Sequence, residues 1–399
     1  MQKDKQEVVI VAAKRTAIGS FLGSLKEVSA KDLAISVANA ILRETNIDTK
    51  QIDSLILGQV LQSGQGQNVG RQVAIGAGLR TTTNAFVVNQ ICGSGLRAVQ
   101  IDYEGIALQS SSVAIAGGTE NMSRCPFGMQ NLRQGHRMGD DSIIDLMIKD
   151  GLWCAIENYH MGITAENLAA EYGISRAEQD NFALNSQLKA SKASIDGAFH
   201  NEIIPIPIKT KKGEVLFEKD EFIRHDASLD ALARLKPAFK EGGSVTAGNS
   251  SGVNDGAALL LLTSRAKAKE LGLRILARFR GFGGVGVEPR IMGIGAAFAA
   301  KKALENTGLK LEDIDLIEAN EAFSAQSIAT LKELGLPVDS QKVNVKGGAI
   351  ALGHPIGASG ARILTTLVHS LRERGKNLGL ATLCVGGGQG ISSIIEVTE

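Results

Sequence analysis

This 399-residue chain carries an internal repeat that relates its first third to its last third. Each copy contains a helix-like pattern, a short break, a strand, a glycine-rich turn, a second helix and a closing strand. The breaks read NIDTKQIDSLI from Asn46 and GLKLEDIDLIE from Gly308, and the closing strands read AIAGGT from Ala114 and LCVGGG from Leu383. Because helices and strands alternate in both copies, the repeat predicts an α/β protein of two similar layered halves, each with a mixed or parallel central sheet.

Residues 123–249 match neither copy and form a long insertion. A charged stretch within it, PIPIKTKKGEVLFEKDEF from Pro205, predicts a hairpin. Large apolar residues cluster among polar turns in its first part: Met129, Met138, Met147, Trp153 and Met161. Insertions of this size usually cover a site or build an interface. We therefore divide the chain into an N-terminal half at 1–122, completed by 250–275, a loop domain at 123–249 and a C-terminal half at 276–399.

The charge balance gives no sign of a polyanionic partner. Lys and Arg number 43 against 42 Asp and Glu, and no polybasic block occurs, so we expect a small-molecule ligand rather than nucleic acid or a membrane surface. The N-terminal MQKDKQEVVI has no apolar signal core, and the longest aliphatic run, at 257–262, is too short to span a bilayer. The four cysteines lack the spacing of a metal site or a disulfide framework, which predicts a cytoplasmic protein without a metal.

One of these cysteines stands between a predicted strand and a predicted helix. In NQICGSGLR at 89–97, Cys92 follows the apolar run AFVVN, which suits a buried strand, and helical spacing begins at Leu96. The free N–H groups and the positive dipole end of a helix favour a thiolate, and Gly93 and Gly95 let a substrate approach the backbone. These residues predict a nucleophile at Cys92, and the alternative is an inert packed thiol.

The C-terminal copy places a polar or reactive side chain at the end of three predicted strands. The strands are LIEAN, VNV at 343–345 and LATLCV, and the motifs beside them are NEAF at 320–323, GHPIGASGAR at 353–362 and CVGGGQG at 384–390. Open α/β sheets bind their ligands at the carboxyl ends of the strands. Because the turn at 357–360 corresponds to 92–95 in the repeat, we expect Cys92 and Cys384 to meet, with His354 between them.

Seven strings, in order along the chain, resemble the thiolase family and in particular its biosynthetic acetyl-CoA acetyltransferase branch. They are NQICGSGLRAV, GGTENMS, YHMGITAENLA, TAGNSSGVNDGAA, NEAF, GHPIGASGAR and LCVGGGQG. The resemblance covers essentially the whole chain and implies a duplicated αβαβα layered fold, with a mixed central sheet in each half and an inserted loop domain. It also implies an acyltransferase that reversibly converts two acetyl-CoA into acetoacetyl-CoA and CoA through an acetyl-cysteine intermediate.

The resemblance gives catalytic roles to five residues. Cys92 is the nucleophile that takes the acetyl group, and His354 is the base that activates it. Cys384 is the base that removes a proton from the methyl group of the second acetyl-CoA, although a buried cysteine that closes a strand is often only a small apolar residue. His354 stabilises the resulting enolate together with a water held by Asn320. The backbone N–H groups of Cys92 and Gly386 hold the tetrahedral oxyanion.

Coenzyme A is the substrate and product, and the resemblance places much of its binding surface on the loop domain. The implied contacts are His160, Met161, Arg224 near the nucleotide, Ser228, Ala238, Phe239, Ala247 and Ser251 along the pantetheine, and Met292 and Phe323 beside the acyl group. No further cofactor is implied, and the loop domain is expected to join four chains into a homotetramer, a dimer of dimers. Ala296 and Ala297 stand where the family commonly has a proline, so the acyl chain-length preference stays open.

Other functions are compatible with part of the pattern. A degradative thiolase, which cleaves longer 3-ketoacyl-CoA, uses the same residues but usually has His at the position of Asn320. A decarboxylating ketoacyl synthase has no need of a base at Cys384. A dinucleotide-binding protein is disfavoured because CGSGLR lacks the full GxGxxG pattern. A non-catalytic scaffold built from a duplicated fold is the remaining alternative.

Overall fold

The structure of the chain is a computed structural model that describes residues 6–211 and 213–397. The first half of MQKDKQEVVI therefore lies outside the described residues, as do the outer ends of the halves proposed at 1–122 and 276–399. None of the helices within the described ranges is both long enough and apolar enough to cross a membrane.

The first part of the chain alternates strands and helices, as the repeat predicts. Helix α1 begins after Ser29, whose hydroxyl accepts a hydrogen bond from the backbone N–H of Asp32 and so satisfies a free donor of the first turn. In chain order the elements are β1 (Val8–Thr16), β2 (Gly19–Ser20), α1 (Ala30–Thr45), β3 (Ser54–Gly58), α2 (Val69–Gly76), β4 (Asn84–Val88), α3 (Ser94–Ala107) and β5 (Val113–Asn121).

The insertion consists mainly of two helices, short strands and loops. Its elements are β6 (Phe127–Gly128), β7 (Ile144–Asp145), β8 (Trp153–Cys154), β9 (Tyr159–His160), α4 (Met161–Glu171), α5 (Arg176–Ile195), β10 (Ile203–Ile204), β11 (Ile206–Thr210), β12 (Gly213–Phe217) and α6 (Leu229–Ala233). Strands β11 and β12 pair antiparallel, so the predicted hairpin is confirmed, and Lys212 in its turn lies outside the described residues.

The last part of the chain repeats the alternation of the first. Its elements are β13 (Asn254–Ser264), α7 (Arg265–Glu270), β14 (Ala277–Gly286), α8 (Gly295–Thr307), β15 (Leu316–Ala319), α9 (Ser324–Glu333), α10 (Ala349–Leu352), α11 (Ser359–Glu373), β16 (Leu378–Val385) and β17 (Gln389–Glu396). Asp53 and Asp315, which correspond in the repeat, also make matching bonds. Asp53 accepts from Ser112 N at 2.8 Å, and Asp315 accepts from Leu378 N at 2.9 Å.

Eleven strands of the described chain form one mixed sheet, and its strand order displays the duplication. The order is β4-β3-β5-β13-β1-β14-β17-β16-β15, with β2 and β10 paired at the side. From the centre outward, β1, β13, β5 and β3 correspond to β14, β17, β16 and β15. In both halves the first two pairings are antiparallel and the third is parallel. The same topology in both halves confirms the predicted repeat.

The two central sheets are joined, which the repeat does not predict. Strands β1 and β14 pair at two positions only, Val9 with Arg278 and Ile10 with Ala277. The first strands of the two copies are thus neighbours at the centre of the molecule. A repeat in a sequence shows that two halves are alike, but it does not show which of their edges meet.

The helices lie in three layers around the two halves of the sheet. Helices α3 and α11 pack on each other and on strands of both halves, and their side chains enter one buried cluster. Helix α1 contacts β1, β5 and β13, whereas α8 contacts β14, β16 and β17. The order of layers is therefore αβαβα, which confirms the predicted fold class.

Two predicted strands differ from the structure. Strand β4 was expected to be buried, but it is the edge strand of the N-terminal half, and only Ala85 in it is buried. The VNV segment at 343–345 forms no strand. Val343 makes a single bridge to Ile317, and Asn344 has a left-handed backbone (φ 45°) that ends the pairing. An apolar β-branched run favours an extended backbone but does not show how many neighbours it has.

Candidate active site

Cys92 lies in a tight turn between β4 and α3. Ser94 holds this turn, because its Oγ accepts a hydrogen bond from Gln90 N (2.8 Å) and donates one to Ile91 O (2.6 Å). Helix α3 starts at Ser94, two residues after Cys92, and has no side-chain cap. The predicted location of Cys92, next to a helix N-terminus, is confirmed.

His354 lies in the loop between α10 and α11 and faces Cys92. Its Nε2 is 3.3 Å from the Cys92 sulfur, and its Nδ1 is 2.6 Å from Ser359 Oγ. The Ser359 hydroxyl donates its hydrogen to Pro355 O at 2.9 Å, so it accepts from Nδ1–H of the imidazole. The proton on Nδ1 leaves Nε2 with a lone pair that can accept the Cys92 proton.

Three further predicted residues lie around this pair. Asn320, at the end of β15, has its Nδ2 3.5 Å from His354 Nε2, while its buried Oδ1 has no hydrogen-bond partner among the described residues. Cys384, in β16, is fully buried, and the charge of a Cys92 thiolate would raise its pKa. The backbone N–H of Gly386 points at the Cys92 sulfur and lowers its pKa. The site thus takes Cys92 from one half and the remaining groups from the other.

Burial dominates the electrostatics of the site. Burial raises the pKa of the Cys92 thiol from 9.0 to about 11, although the N–H groups of Gly386 and of Cys92 itself lower it in part. Burial also lowers the pKa of His354 to about 3, and the Arg362 charge adds to this effect. The backbone N–H groups favour a thiolate, as predicted, but burial outweighs them. At neutral pH the two residues are a thiol and a neutral imidazole.

An apolar cavity of about 220 Å³ opens onto Cys92 and His354. Its wall includes eight other predicted or nearby groups that can contact an acyl thioester: Met122, His160, Met161, Phe239, Ser251, Met292, Phe323 and Gly386. The rings of His160 and Phe239 stack with their centroids 4.7 Å apart, and Phe239 meets Phe323 edge-on at 6.0 Å. These rings form an aromatic wall on one side of the cavity.

The other predicted contacts lie outside the wall of this cavity. Asn320 and Cys384 are buried and do not line it, and the N–H of Ala238 donates to Val245 O. Arg224 and Ala247 are exposed, and the Arg224 guanidinium lies 5.8 Å from the ring of Phe222. Ser228 caps helix α6 by accepting from Ala231 N.

The sequence analysis missed two residues that hold His354. Ser359 accepts from the imidazole, and Asn254, at the start of β13, accepts from His354 N at 2.9 Å through its Oδ1. Asn254 also packs directly on Gly353, where a Cβ would lie 2.5 Å from Asn254 Cγ and where the φ of 104° favours glycine. Both residues lie inside quoted strings, TAGNSSGVNDGAA and GHPIGASGAR, but nothing in the spacing of the letters shows which side chain reaches the histidine.

The comparisons with known proteins cover the whole fold. Residues 8–266 match the family model for the thiolase N-terminal domain, and residues 273–397 match the model for the thiolase C-terminal domain. An acetyl-CoA acetyltransferase of Chromobacterium violaceum is 53% identical over 98% of this chain and 99% of its own length. An acetyl-CoA acetyltransferase of Pseudomonas aeruginosa is 54% identical over 97% of this chain and 98% of its own length. The crystal structure of the Bacillus anthracis acetyl-CoA acetyltransferase superposes with a TM-score of 0.96 at 45% identity, over 99% of this chain and 100% of that one.

Proposed function

The chain belongs to the thiolase family, and on that premise we propose that it is an acetyl-CoA C-acetyltransferase, an acyltransferase that reversibly joins two acetyl-CoA to give acetoacetyl-CoA and CoA. The observation that carries this proposal is the 3.3 Å contact of the Cys92 sulfur with His354 Nε2 at an apolar cavity. The full-length relatives named above bear the same activity in their names.

In the first step, Cys92 takes the acetyl group. His354 Nε2 accepts the proton of the Cys92 thiol, and the thiolate attacks the thioester carbonyl of acetyl-CoA. The backbone N–H groups of Cys92 and Gly386, which point at the sulfur, are placed to bind the oxyanion that forms beside it. The CoA thiolate leaves and takes the proton of the Cys384 thiol, which leaves acetyl-Cys92, a Cys384 thiolate and a protonated His354.

In the second step, a carbon–carbon bond forms. The Cys384 thiolate removes a methyl proton from a second acetyl-CoA, and the enolate carbon attacks acetyl-Cys92. The released Cys92 thiolate then takes its proton back from His354. A Cys92 charge would oppose a thiolate at Cys384, so acetylation of Cys92 removes an obstacle to the second step. The free Oδ1 of Asn320 can hold a water that, with His354, donates to the enolate oxygen.

We further propose that the pantetheine of CoA enters along the aromatic wall and Ser251. His160 Nδ1 accepts from Gly162 N at 3.0 Å, so its Nε2 stays available to the ligand. The exposed Arg224, together with Ser228, Ala238 and Ala247, would then contact the nucleotide end outside the cavity. No cofactor other than CoA itself takes part in this proposal.

The assembly and location of the protein are also proposals. The insertion exposes a group of large apolar side chains: Phe127, Met129, Leu132, Met138, Ile143, Ile148 and Ile156. Such a concentration on one segment is typical of a protein interface. We propose that this segment joins the chains into a homotetramer, a dimer of dimers, in the cytoplasm.

The function is tested by a series of 3-ketoacyl-CoA substrates of increasing chain length, assayed for cleavage that depends on CoA. We expect a sharp optimum at four carbons, because the small cavity must hold the acyl group and the end of the pantetheine together. Cleavage that persists at eight or more carbons would instead identify a degradative thiolase. The variant Cys92→Ala is the control, and it should be inactive at every length.

A further inference from the structure

The loop that carries His354 is held on both flanks by the half of the molecule that carries Cys92. On one flank, Asn254 Oδ1 accepts from His354 N at 2.9 Å. On the other, a carboxylate oxygen of Glu120 accepts from Gly357 N at 3.0 Å. Residues 353–358 belong to no helix or strand, so these side-chain bonds take the place of regular backbone pairing.

Glu120, at the end of β5, is fully buried and accepts three backbone hydrogen bonds. Besides Gly357 N, its carboxylate accepts from Val60 N (3.0 Å) and Leu61 N (3.1 Å). No ion pair of Glu120 with a cationic side chain occurs among the described residues. A buried carboxylate bound by three N–H groups has one position only, and moving it would leave those donors without partners.

The backbone around this carboxylate is in direct contact across the two halves. A side chain added at Gly357 would lie 2.7 Å from a Glu120 oxygen, and one added at Gly118 would lie 2.0 Å from Gly357 O. Gly95, in the first turn of α3, is packed against the same carbonyl. The His354 loop therefore packs directly on β5 and α3 at these glycines.

We propose that Glu120 is a positioning residue, whose carboxylate ties the loop of His354 to the N-terminal half and so sets the distance from the imidazole to the Cys92 sulfur. The proposal rests on the role of His354 as the base for Cys92 in the proposed function. Glu120 touches neither reacting sulfur nor ligand and acts through the loop.

A competing role for Glu120 is purely electrostatic, and it has the opposite sign. Burial raises the pKa of the Glu120 carboxyl to about 7, and its ionised form opposes a thiolate at Cys92 and raises the pKa of that thiol. Loss of this charge without any movement of the loop would make Cys92 more reactive. Loss of the loop's anchor would separate the thiol from its base and make Cys92 less reactive.

The experiment measures the rate at which iodoacetamide alkylates Cys92 in the purified full chain between pH 6 and 9, read by mass spectrometry of the Cys92 peptide. We expect Glu120→Gln to slow alkylation at pH 7 by about tenfold, towards the rate of His354→Ala, a typical cost for a displaced supporting group. With acetyl-CoA, kcat should fall by about the same factor while KM changes less than about twofold. Alkylation of Glu120→Gln that is as fast as, or faster than, in the unmodified chain overturns the proposal.

A second variant separates the length of the side chain from its charge, and it replaces Glu120→Gln in the test if that variant does not fold. Glu120→Asp keeps the carboxylate but shortens it, so a positioning role predicts slow alkylation, whereas a purely electrostatic role predicts no change and would refute the proposal. Asp315→Asn is the matched control, because Asp315 also accepts two backbone N–H bonds, from Asn377 and Leu378, at the far end of β15. In Asp315→Asn, iodoacetamide should alkylate Cys92 at the same rate as in the unmodified chain.

The alkylation assay needs no acyl transfer, so it distinguishes this inference from the proposed function. If His354→Ala slows alkylation and the Glu120 variants do not, only the role of Glu120 falls. If His354→Ala leaves alkylation unchanged, His354 is not the base for Cys92, and both proposals fall together.

Discussion

A single hydroxyl determines which nitrogen of His354 faces the nucleophile. Ser359 gives its only hydrogen to Pro355 O, so it can only accept from Nδ1 of the imidazole. Without that acceptor the imidazole could turn or take the other tautomer, and Nε2 would no longer be a base towards Cys92. The orientation of the neutral imidazole towards the neutral Cys92 thiol thus depends on Ser359, which takes no part in the reaction itself.

We predict that Ser359→Ala lowers kcat by about tenfold or more and changes KM for acetyl-CoA little, because it removes the partner of Nδ1 without touching the cavity. Steady-state kinetics with acetoacetyl-CoA and CoA measure both constants. Ser327→Ala is a suitable control, since the Ser327 hydroxyl is buried and has no hydrogen-bond partner within the described chain. A Ser359→Ala enzyme with unchanged kcat would show that the imidazole is held in some other way.

The residues of the site were predictable from the sequence to different degrees. The location of Cys92 follows from the local pattern, because a strand, two glycines and a helix onset are all visible within residues 85–97. The raised pKa of its thiol was not predictable, since burial depends on segments far away in the chain, such as the one that carries Gly386. Asn254 and Glu120 act over separations of 100 and 237 residues, for which no local pattern exists.

Among the elements, α3 contains a buried acid that serves no catalytic purpose in the proposed mechanism. Asp102 is 2% exposed and faces β3, where it is bonded to the side chain of Ser54 and to the backbone of Ile56. One of its oxygens has no hydrogen-bond partner in the part of the chain that is described. Burial raises the pKa of this carboxyl from 3.8 to about 7, so its charge weakens the packing of α3 on β3 at neutral pH.

We predict that Asp102→Asn stabilises the protein at pH 8 but not at pH 4. The folded carboxyl holds its proton up to about pH 7, whereas the unfolded one loses it near 3.8, so its contribution to stability is present below pH 3.8 and lost as the pH rises to about 7. The neutral amide avoids that loss, and the free energy of unfolding at pH 8 should rise by about 1–3 kcal/mol.

Urea unfolding at both pH values, at one protein concentration, measures this difference. The exposed Asp339 provides the control, because Asp339→Asn should leave the urea midpoint unchanged at both values. If Asp102→Asn were less stable than the unmodified chain at pH 8, the ionised carboxylate would be supporting α3 and the assignment would be incorrect.

Most elements follow from the sequence because their cause is local. The apolar spacing of α3 and α8, the Ser29 cap of α1 and the turn of the β11–β12 hairpin are all set within a few residues. The exceptions are β4 and the segment at 343–345, whose pairing depends on neighbours distant in the chain. Extended propensity was correct for β4, but its position at an edge is a property of the sheet.

The molecule as a whole is a duplication whose two copies meet backbone to backbone. Helices α3 and α11 occupy equivalent places and pack on each other, and Gly118, Gly95 and Gly357 allow the close approach. This contact brings a thiol of one copy to a histidine of the other. Neither half contains the complete constellation, so the proposed catalysis depends on how the halves dock.

The insertion belongs to neither copy, and its exposed apolar side chains carry the last prediction. Met138 is 92% exposed and Phe127 is 65% exposed, and Phe127 lies in the short pair of β6 and β7. Water-exposed side chains of this size gain free energy when another surface covers them, about 25 cal/mol per Å² of apolar area. An interface of several such residues from each of two dimers would reach the area that stable assemblies bury.

We predict that the unmodified chain has the mass of four chains in light scattering, and that the double variant Phe127→Ser, Met138→Ser has the mass of two. Ile195→Ser is the control, because Ile195 is 75% exposed but lies at the end of α5, away from this segment, and should leave the mass at four chains. If the double variant keeps the mass of four chains, the tetramer interface lies elsewhere. If the unmodified protein already has the mass of two chains, the insertion does not join dimers. The proposed catalytic groups all come from the two halves of one chain, so the dimeric variant should retain acetyl transfer to Cys92.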